Sequence, residues 1–193
     1  MMTNPMSSLG FLFQRRSIRR FTQEPVSRTE IDALLHGAMA APSASNRRPW
    51  EFVVATEPDI LDRLRRVLIL GRHAAPAAII VCGNMRRTYP PPARDFWVED
   101  CSAAMQNILL GAQALGLGGV WIGIHPVPPF LAGVRRVLGL PRHVRPLGLA
   151  WIGHPSETKP PRSQYDERRV HWQTFGGTEP ESVDAPAAKD PGR

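Results

Sequence analysis

The segment FWVEDCSAAMQNILLGAQALG, residues 96–116, restricts the fold more than any other part of the sequence. Its apolar side chains recur at helical spacing and form a wide face: Val98, Cys101, Ala104 or Met105, Ile108, Leu109, Ala112 and Leu115. The glycine at its end, Gly116, is a suitable left-handed stop for a helix. A helix this long and apolar indicates burial on more than one side, in the centre of a domain or at a dimer interface.

Helices and strands alternate along the rest of the chain. Residues 27–41 begin with a capping box formed by Ser27 and Glu30, and their apolar residues repeat at helical spacing. The other predicted elements are strand 50–55, a helix from an N-cap at Thr56 to about Leu70, strand 77–83, strand 118–124, helix 127–138 and strand 146–153. This order is typical of an α/β or α+β sandwich with one sheet. The Pro-rich, basic loop 84–95 is long enough to be a lid or a partner contact.

The domain boundaries follow from where this pattern stops. Residues 1–175 are expected to form a single domain, because no linker or internal repeat divides them. From Gly176 onward the apolar periodicity is lost, which predicts a disordered tail over 176–193. No apolar run approaches the roughly 18 residues that a membrane span needs, and the N-terminus lacks the pattern of a signal peptide. We therefore expect a cytoplasmic protein with no membrane contact.

Charge and cysteine content exclude little. The formal net charge is +7, and 22 of the 24 basic residues are arginine, but they are spread along the chain. This distribution argues only weakly for nucleic acid, and a nucleic-acid-binding module is the least favoured alternative. Cys82 and Cys101 are expected to be reduced and buried. The six histidines lack metal-ligand spacing, so no metal site is expected.

Common catalytic motifs are missing. The glycines of GLGGVWIG, residues 116–123, follow a helix and precede a strand, which is the reverse of a dinucleotide-binding fingerprint. No P-loop and no GxSxG sequence is present. Asp95, Glu99 and Asp100 stand at the start of the long helix, where carboxylates offset the helix dipole. That structural role is favoured over acid–base catalysis.

Three polar segments remain that could bind an anion. They are RRSIRRF at 15–21, PSASNRRP at 42–49 and KPPR at 159–162. Arginine matches phosphate oxygens bidentately, and a hydroxyl adds a further donor. A polar segment of this kind, taken alone, is more often an exposed stretch of the surface that binds no ligand. Their joint occurrence with an apolar, glycine-containing strand favours a phosphorylated planar cofactor.

Together these segments resemble the FMN-dependent nitroreductase family. The similarity runs from about residue 10 to residue 173 through RRSIRRF, PSASNRRPWEFVV, the long helix with the strand after it, and GHPSETKPPRSQYDERRVHW. It implies an α+β fold, a three-layer α/β/α sandwich, in an intertwined homodimer with two FMN sites at the interface. It also implies NADH or NADPH as electron donor, and a nitro compound, quinone or similar small molecule as acceptor in a ping-pong reaction.

The resemblance assigns roles residue by residue. Arg15, Arg16, Ser17 and Arg19 match the segment that holds the FMN phosphate and the pyrimidine edge, and Lys159 and Arg162 match the late motif that closes on the phosphate. Ser43 and Asn46 match a loop that reaches the flavin of the other subunit. Trp121, Ile122 and Gly123 match the strand under the ring, with an N–H from Ile122 or Gly123 directed to N5. The chemistry is centred on the flavin, so no catalytic side chain is expected.

The sequence departs from the family at one loop. Arg48 replaces a usual glutamine, and Arg47 beside it is also unusual; these cations could favour an acidic substrate. Phe96 and Trp97 are candidates for lining the substrate cavity, with core packing as the alternative. The protein could instead be a dehalogenase, a flavin-fragmenting enzyme, an ene-type reductase, or a non-catalytic FMN-binding or flavin-storage protein. The residues leave the acceptor and the choice between NADH and NADPH open.

Overall fold

The structure, a computed structural model, describes residues 5–180; residues 181–193 of the predicted tail lie outside the described part. Two short helices that the sequence pattern did not predict come first. The helices are α1 (Pro5–Ser8), α2 (Gly10–Gln14), α3 (Arg28–Met39), α4 (Pro58–Val67), α5 (Phe96–Ala114) and α6 (Pro128–Leu138). No helix in this part of the chain has the length and apolar character needed to cross a membrane.

Four strands form one sheet. They are β1 (Trp50–Ala55), β2 (Ala77–Asn84), β3 (Gly118–Gly123) and β4 (Val144–Gly153). The spatial order is β1-β2-β4-β3, and every neighbouring pair is antiparallel. The antiparallel pairing decides between the two classes that the element order allowed, and the fold is α+β.

Helices cover both faces of the sheet. Alternate residues of β2 point to opposite sides, so that Ile79 packs with α3 and α5 while Ile80 packs with α4 and α6. The predicted three-layer α/β/α arrangement is confirmed. The long helix α5 lies between the sheet and α3, and its side chains are buried on both sides, as its composition indicated.

The helix ends follow from local chemistry. At the start of α3, Glu30 N donates to Ser27 Oγ and Ser27 N donates to Glu30 Oε2, so the predicted capping box is confirmed. Helix α4 has Glu57 as its N-cap residue instead of Thr56, because Pro58 takes the first helical position. It also ends at Val67, earlier than predicted, since the backbone of Leu68 is not helical.

The chain divides after Arg162 into two units. The first contains the sheet and all six helices. The second begins at Ser163 and, within its described residues, contains one 3₁₀ turn, Glu167–Arg169. Cys82 and Cys101 both lie in the first unit, and both are free and buried, as predicted.

Candidate functional site

Two basic segments that are far apart in sequence meet beside β3. Lys159 Nζ donates to Ser17 O at 2.6 Å, and the Arg16 guanidinium donates to Pro160 O. Arg162 N donates to Phe13 O at 3.0 Å. The RRSIRRF and KPPR segments are therefore in direct contact.

Backbone pairing holds this arrangement in place. Ile18 N donates to Gly119 O at the start of β3, and Ser156 N donates to Arg20 O beyond the end of β4. Ile18 and Phe21 are each only 8% exposed, so they anchor the segment in the core. An added Cβ on Gly118 would collide with the Ile18 side chain, so glycine is required for this close approach.

Glu157 is a central member of the cluster that sequence reasoning missed. Its carboxylate accepts hydrogen bonds from Arg19 N at 2.6 Å and Arg20 N at 3.3 Å, and it pairs with Lys159 Nζ at 3.1 Å. The hydrogen bond from Arg19 N, followed by that from Lys159, lowers the pKa of Glu157 to about 2. It therefore stays ionised and orders the backbone of the arginine segment.

His73 is a second residue that sequence reasoning missed. Burial, and then the positive charge of Arg19, lower its pKa, while Glu157 acts in the opposite direction. The His73 imidazole therefore lies within reach of the charges of Arg19 and Glu157, and its lowered pKa favours the neutral form of the ring. No signal in the sequence pointed to it, because His73 lies in an irregular segment between α4 and β2.

Three guanidinium groups of the cluster remain available to a ligand. Within residues 5–180, the side chains of Arg15, Arg19 and Arg162 make no hydrogen bond and no ion pair, whereas Lys159 and Arg16 are partly engaged by protein oxygens. A cleft of about 370 Å³ opens next to Arg16 and Lys159, between the end of α5 and residues 155–161. Arg16 and Lys159 line this cleft, whereas Arg15, Arg19 and Arg162 do not, so the cluster presents charge-assisted donors both inside the cleft and outside it.

Strand β3 offers free backbone donors on its outer edge. Gly119 O accepts from Ile18 N on that side, whereas Ile124 N donates inward to Leu147 O. Because backbone groups alternate in direction along a strand, the N–H groups of Trp121 and Gly123 point outward and that of Ile122 points to β4. Gly123 is exposed, and an added Cβ on it would meet no heavy atom within 4 Å, so the face of the sheet at this residue is uncovered.

The loop with Ser43 and Asn46 lies at the opposite end of α5. Ala44 N donates to the buried carboxylate of Asp100 at 2.8 Å, and Ser43 Oγ accepts from Arg48 N at 2.9 Å. The basic cleft adjoins Gly116, sixteen residues further along, which is roughly 24 Å at 1.5 Å per residue. The structure therefore does not bring this loop to the arginine cluster of its own chain.

Residues of loop 84–95 pack on the same loop. The Tyr89 hydroxyl is hydrogen-bonded to Ser45, the Arg47 guanidinium lies 4.6 Å from the centre of the Tyr89 ring, and Phe96 makes an edge contact with that ring at 5.9 Å. Phe96 is 46% exposed, whereas Trp97 is 1% exposed and packs in the core against His125. Arg48 is exposed and has a positive φ of 47°.

Comparison with known proteins identifies the family. The model of the nitroreductase family matches residues 12–70 and 71–154. A protein of Methanothermobacter thermautotrophicus, provisionally named NADH dehydrogenase/NAD(P)H nitroreductase, is 40% identical over 172 residues, which cover 88% of each chain.

Solved structures that resemble this chain support the same family assignment. A protein of Parabacteroides distasonis with the same provisional name superposes with a TM-score of 0.81 at 36% identity, over 87% of this chain and 98% of the other. An FMN-dependent nitroreductase of Clostridium difficile superposes with a TM-score of 0.79 at 30% identity, over 86% and 99%. The chain described here belongs to the nitroreductase family.

Proposed function

We propose that the protein is an FMN-dependent oxidoreductase that uses NAD(P)H to reduce a nitro compound, a quinone or a similar small acceptor. The observation that carries this proposal is the convergence of the two basic segments at one end of the open edge of β3. The relatives named as FMN-dependent and as NAD(P)H nitroreductases support the same cofactor and electron donor.

The arginine cluster fits the phosphate group of FMN. A phosphate monoester carries a charge between −1 and −2 near neutral pH and accepts several hydrogen bonds at once. Arg15, Arg19 and Arg162 have guanidinium groups without a protein partner in the described chain, and the Ser17 hydroxyl lies between the first two in sequence. Glu157 accepts a hydrogen bond from Arg19 N and so fixes the backbone from which the Arg19 side chain extends.

The edge of β3 fits the flavin ring. Gly123 is exposed and its N–H points away from β4, whereas the N–H of Ile122 points into the sheet. Of the two donors that the sequence allowed for N5, we therefore favour Gly123. Trp121 N–H, which also points outward, is a second donor toward the ring, and the Trp121 indole covers Gly148 on one face of the sheet.

The protein supplies position and charge to this chemistry. When bound, FMN provides the redox step itself, accepting two electrons from NAD(P)H and giving them to the acceptor, which enters the same cavity in turn. Fixed N–H dipoles and guanidinium groups favour the negative charge that develops during this transfer. No side-chain nucleophile is needed, in keeping with the absence of a recognisable one in the sequence.

A second subunit would complete the site. Ser43 and Asn46 lie roughly 24 Å along α5 from the basic cluster of their own chain, by the helical rise per residue, and we therefore assign them to the flavin of the partner subunit. Exposed apolar residues offer a surface for such a partner: Leu9, Phe11, Leu12 and Leu115. Phe96 and Tyr89 beside that loop are the candidates for contacting the acceptor, whereas Trp97 is buried in the core.

The absorbance of the purified protein tests the function. We expect yellow protein, or colourless protein that becomes yellow with added FMN, whose flavin absorption is bleached by NADH or NADPH and restored by a nitroaromatic or a quinone. Flavin that binds but is not bleached would make the protein a flavin-storage protein. Protein that binds no FMN would overturn the proposal.

A further inference from the structure

A second basic cavity lies at the other end of β3. It has a volume of about 390 Å³, in the lower range for small-molecule sites, and opens between α6 and the start of β4. Its lining includes His125, Leu131, Arg135, Arg142 and Arg145. We refer to it as the arginine cavity.

The charge of the arginine cavity is not balanced by the protein. No carboxylate lines it, and within residues 5–180 the side chains of Arg142 and Arg145 make no ion pair and no hydrogen bond. Arg135 donates only through Nη2, to Arg142 O at 3.5 Å and Val144 O at 3.4 Å, which are long contacts. Three positive charges therefore surround one opening.

Two buried polar atoms at this cavity also lack a partner. Nδ1 of His125 and Nε of Arg135 are buried, and neither has a hydrogen-bond partner in the described chain. Burying a polar group without a partner is costly, so native proteins rarely leave two together. Burial and the charge of Arg145 lower the pKa of His125, while Asp95, which does not line the cavity, raises it. Both residues line the cavity, which places two side chains with unsatisfied polar atoms beside its opening.

The arginine cavity is distinct from the cluster assigned to the FMN phosphate. Ser17 adjoins Gly119 at the start of β3, whereas His125 follows the end of that strand. Six residues of extended chain span roughly 20 Å at about 3.3 Å per residue. A single phosphate group cannot occupy both places.

We propose that the arginine cavity binds a phosphate monoester. The dianionic character of such a group near pH 7 matches three guanidinium groups better than a single carboxylate does. NADPH differs from NADH by one such group, the 2′-phosphate of its adenosine. If the proposed function holds, this site therefore favours NADPH as the electron donor. A different ligand that carries a phosphate group would bind the cavity through the same contacts.

Calorimetric titration of FMN-saturated protein tests the site without turnover. The probes are inorganic phosphate and adenosine 2′-phosphate, with adenosine and equal ionic strength as references. The test variants are Arg142→Gln and Arg145→Gln, alone and combined, and both positions are exposed, so the fold should persist. The matched control is Arg136→Gln, which removes an exposed arginine of α6 that does not line the cavity.

The site is supported if both phosphate probes bind to the natural protein and to the control. Each arginine replaced in the test variants should then weaken this binding roughly tenfold or more. A phosphate-induced shift of the His125 ring signals in the NMR spectrum of the natural protein supports it without any variant. Probe binding no tighter than that of adenosine, or an equal loss in the Arg136→Gln control, overturns it.

Steady-state kinetics then distinguish NADPH from another phosphate-bearing ligand as the occupant of the cavity. A rise of roughly tenfold in the KM for NADPH relative to that for NADH in the combined variant identifies the 2′-phosphate. An unchanged ratio with weakened phosphate binding keeps the site and assigns it to another phosphate-bearing ligand. If neither nucleotide reduces the flavin, the proposed function fails, while the calorimetry still decides the site.

Discussion

At the residue scale, guanidinium groups without a protein partner are expected to bind the cofactor phosphate. Replacing Arg15 or Arg19 with alanine should weaken FMN binding by about 1.5–3 kcal/mol, or roughly 10- to 100-fold in Kd, because each removes a charge-assisted hydrogen bond. Fluorescence titration of the flavin-free protein measures this. Arg20→Ala is the matched control, since Arg20 is exposed and carries no assigned cofactor role. Equal Kd values in all three variants would mean that Arg15 and Arg19 are only solvated.

Glu157 gives the cluster a dependence on pH. Its pKa is about 2 in the folded protein and 4.5 ordinarily. A depressed carboxyl pKa contributes stability above the unfolded value and loses it as the carboxylate is protonated. The natural protein should therefore lose this contribution as pH falls from 4.5 toward 2, and Glu157→Gln should lose less.

Thermal unfolding at steps of pH, compared between the natural protein and Glu157→Gln, measures this difference. The matched control is Glu57→Gln, which removes a carboxylate that makes no side-chain hydrogen bond or ion pair within residues 5–180. Parallel curves for the natural protein and Glu157→Gln would contradict the assigned role.

At the element scale, substitutions at two paired glycines, Gly123 in β3 and Gly148 in β4, test cofactor binding and fold stability separately. A Cβ on Gly148 would overlap the Trp121 indole and lie 3.0 Å from Ile122 O, so Gly148→Ala should destabilise the fold by about 1–3 kcal/mol. A Cβ on Gly123 meets no heavy atom within 4 Å. Gly123→Ala should therefore keep the stability within about 0.5 kcal/mol and still weaken FMN binding. Denaturant unfolding and flavin titration of both variants check this, and unimpaired FMN binding by Gly123→Ala would count against a flavin at this edge.

The loop that carries Ser43 and Asn46 depends on α5. Asp100 is buried and accepts from Ala44 N, and burial raises the pKa of its carboxyl group. Asp100→Ala should destabilise the protein by about 0.5–1.5 kcal/mol and speed amide exchange at Ala44, because that N–H loses its acceptor. Asp100→Asn keeps an acceptor oxygen and should preserve most of the protection. Hydrogen exchange followed by NMR distinguishes the two, and equal exchange rates would remove Asp100 from this role.

At the scale of the whole molecule, the proposed site requires two chains. Dimers that combine an Arg15→Ala/Arg19→Ala subunit with a Ser43→Ala/Asn46→Ala subunit should contain one site with every change and one with none. Such mixed dimers should bind FMN with natural affinity at about half the natural stoichiometry, because each site draws on both subunits. Neither parent homodimer should do so. The measurement is a flavin titration of mixed dimers purified with two different affinity tags. Absence of a natural-affinity site in them would place each site within one chain.

The sequence by itself determined the four strands, the helices from α3 onward and the class of ligand, but not α1 and α2. The capping box of Ser27 and Glu30, the apolar face of α5 and the strand at 50–55 depend on neighbouring residues, so their spacing predicts them. The basic segments at 15–19 and 159–162 were likewise visible as residue types suited to phosphate. The start of α4 was misplaced, because Thr56 and Glu57 both precede Pro58 and spacing does not choose between them.

Only the tertiary structure decided which groups meet and which remain free. Glu157 acts through Arg19 N, 138 positions away, and His73 is near the same cluster only because of the fold. The choice of Gly123 over Ile122 depends on which edge of β3 pairs with β4. The arginine cavity arises where α6 and β4 bring unpaired guanidinium groups together. The physical reason is the same throughout: electrostatic contacts and strand pairing depend on distance in space, which local sequence spacing does not encode.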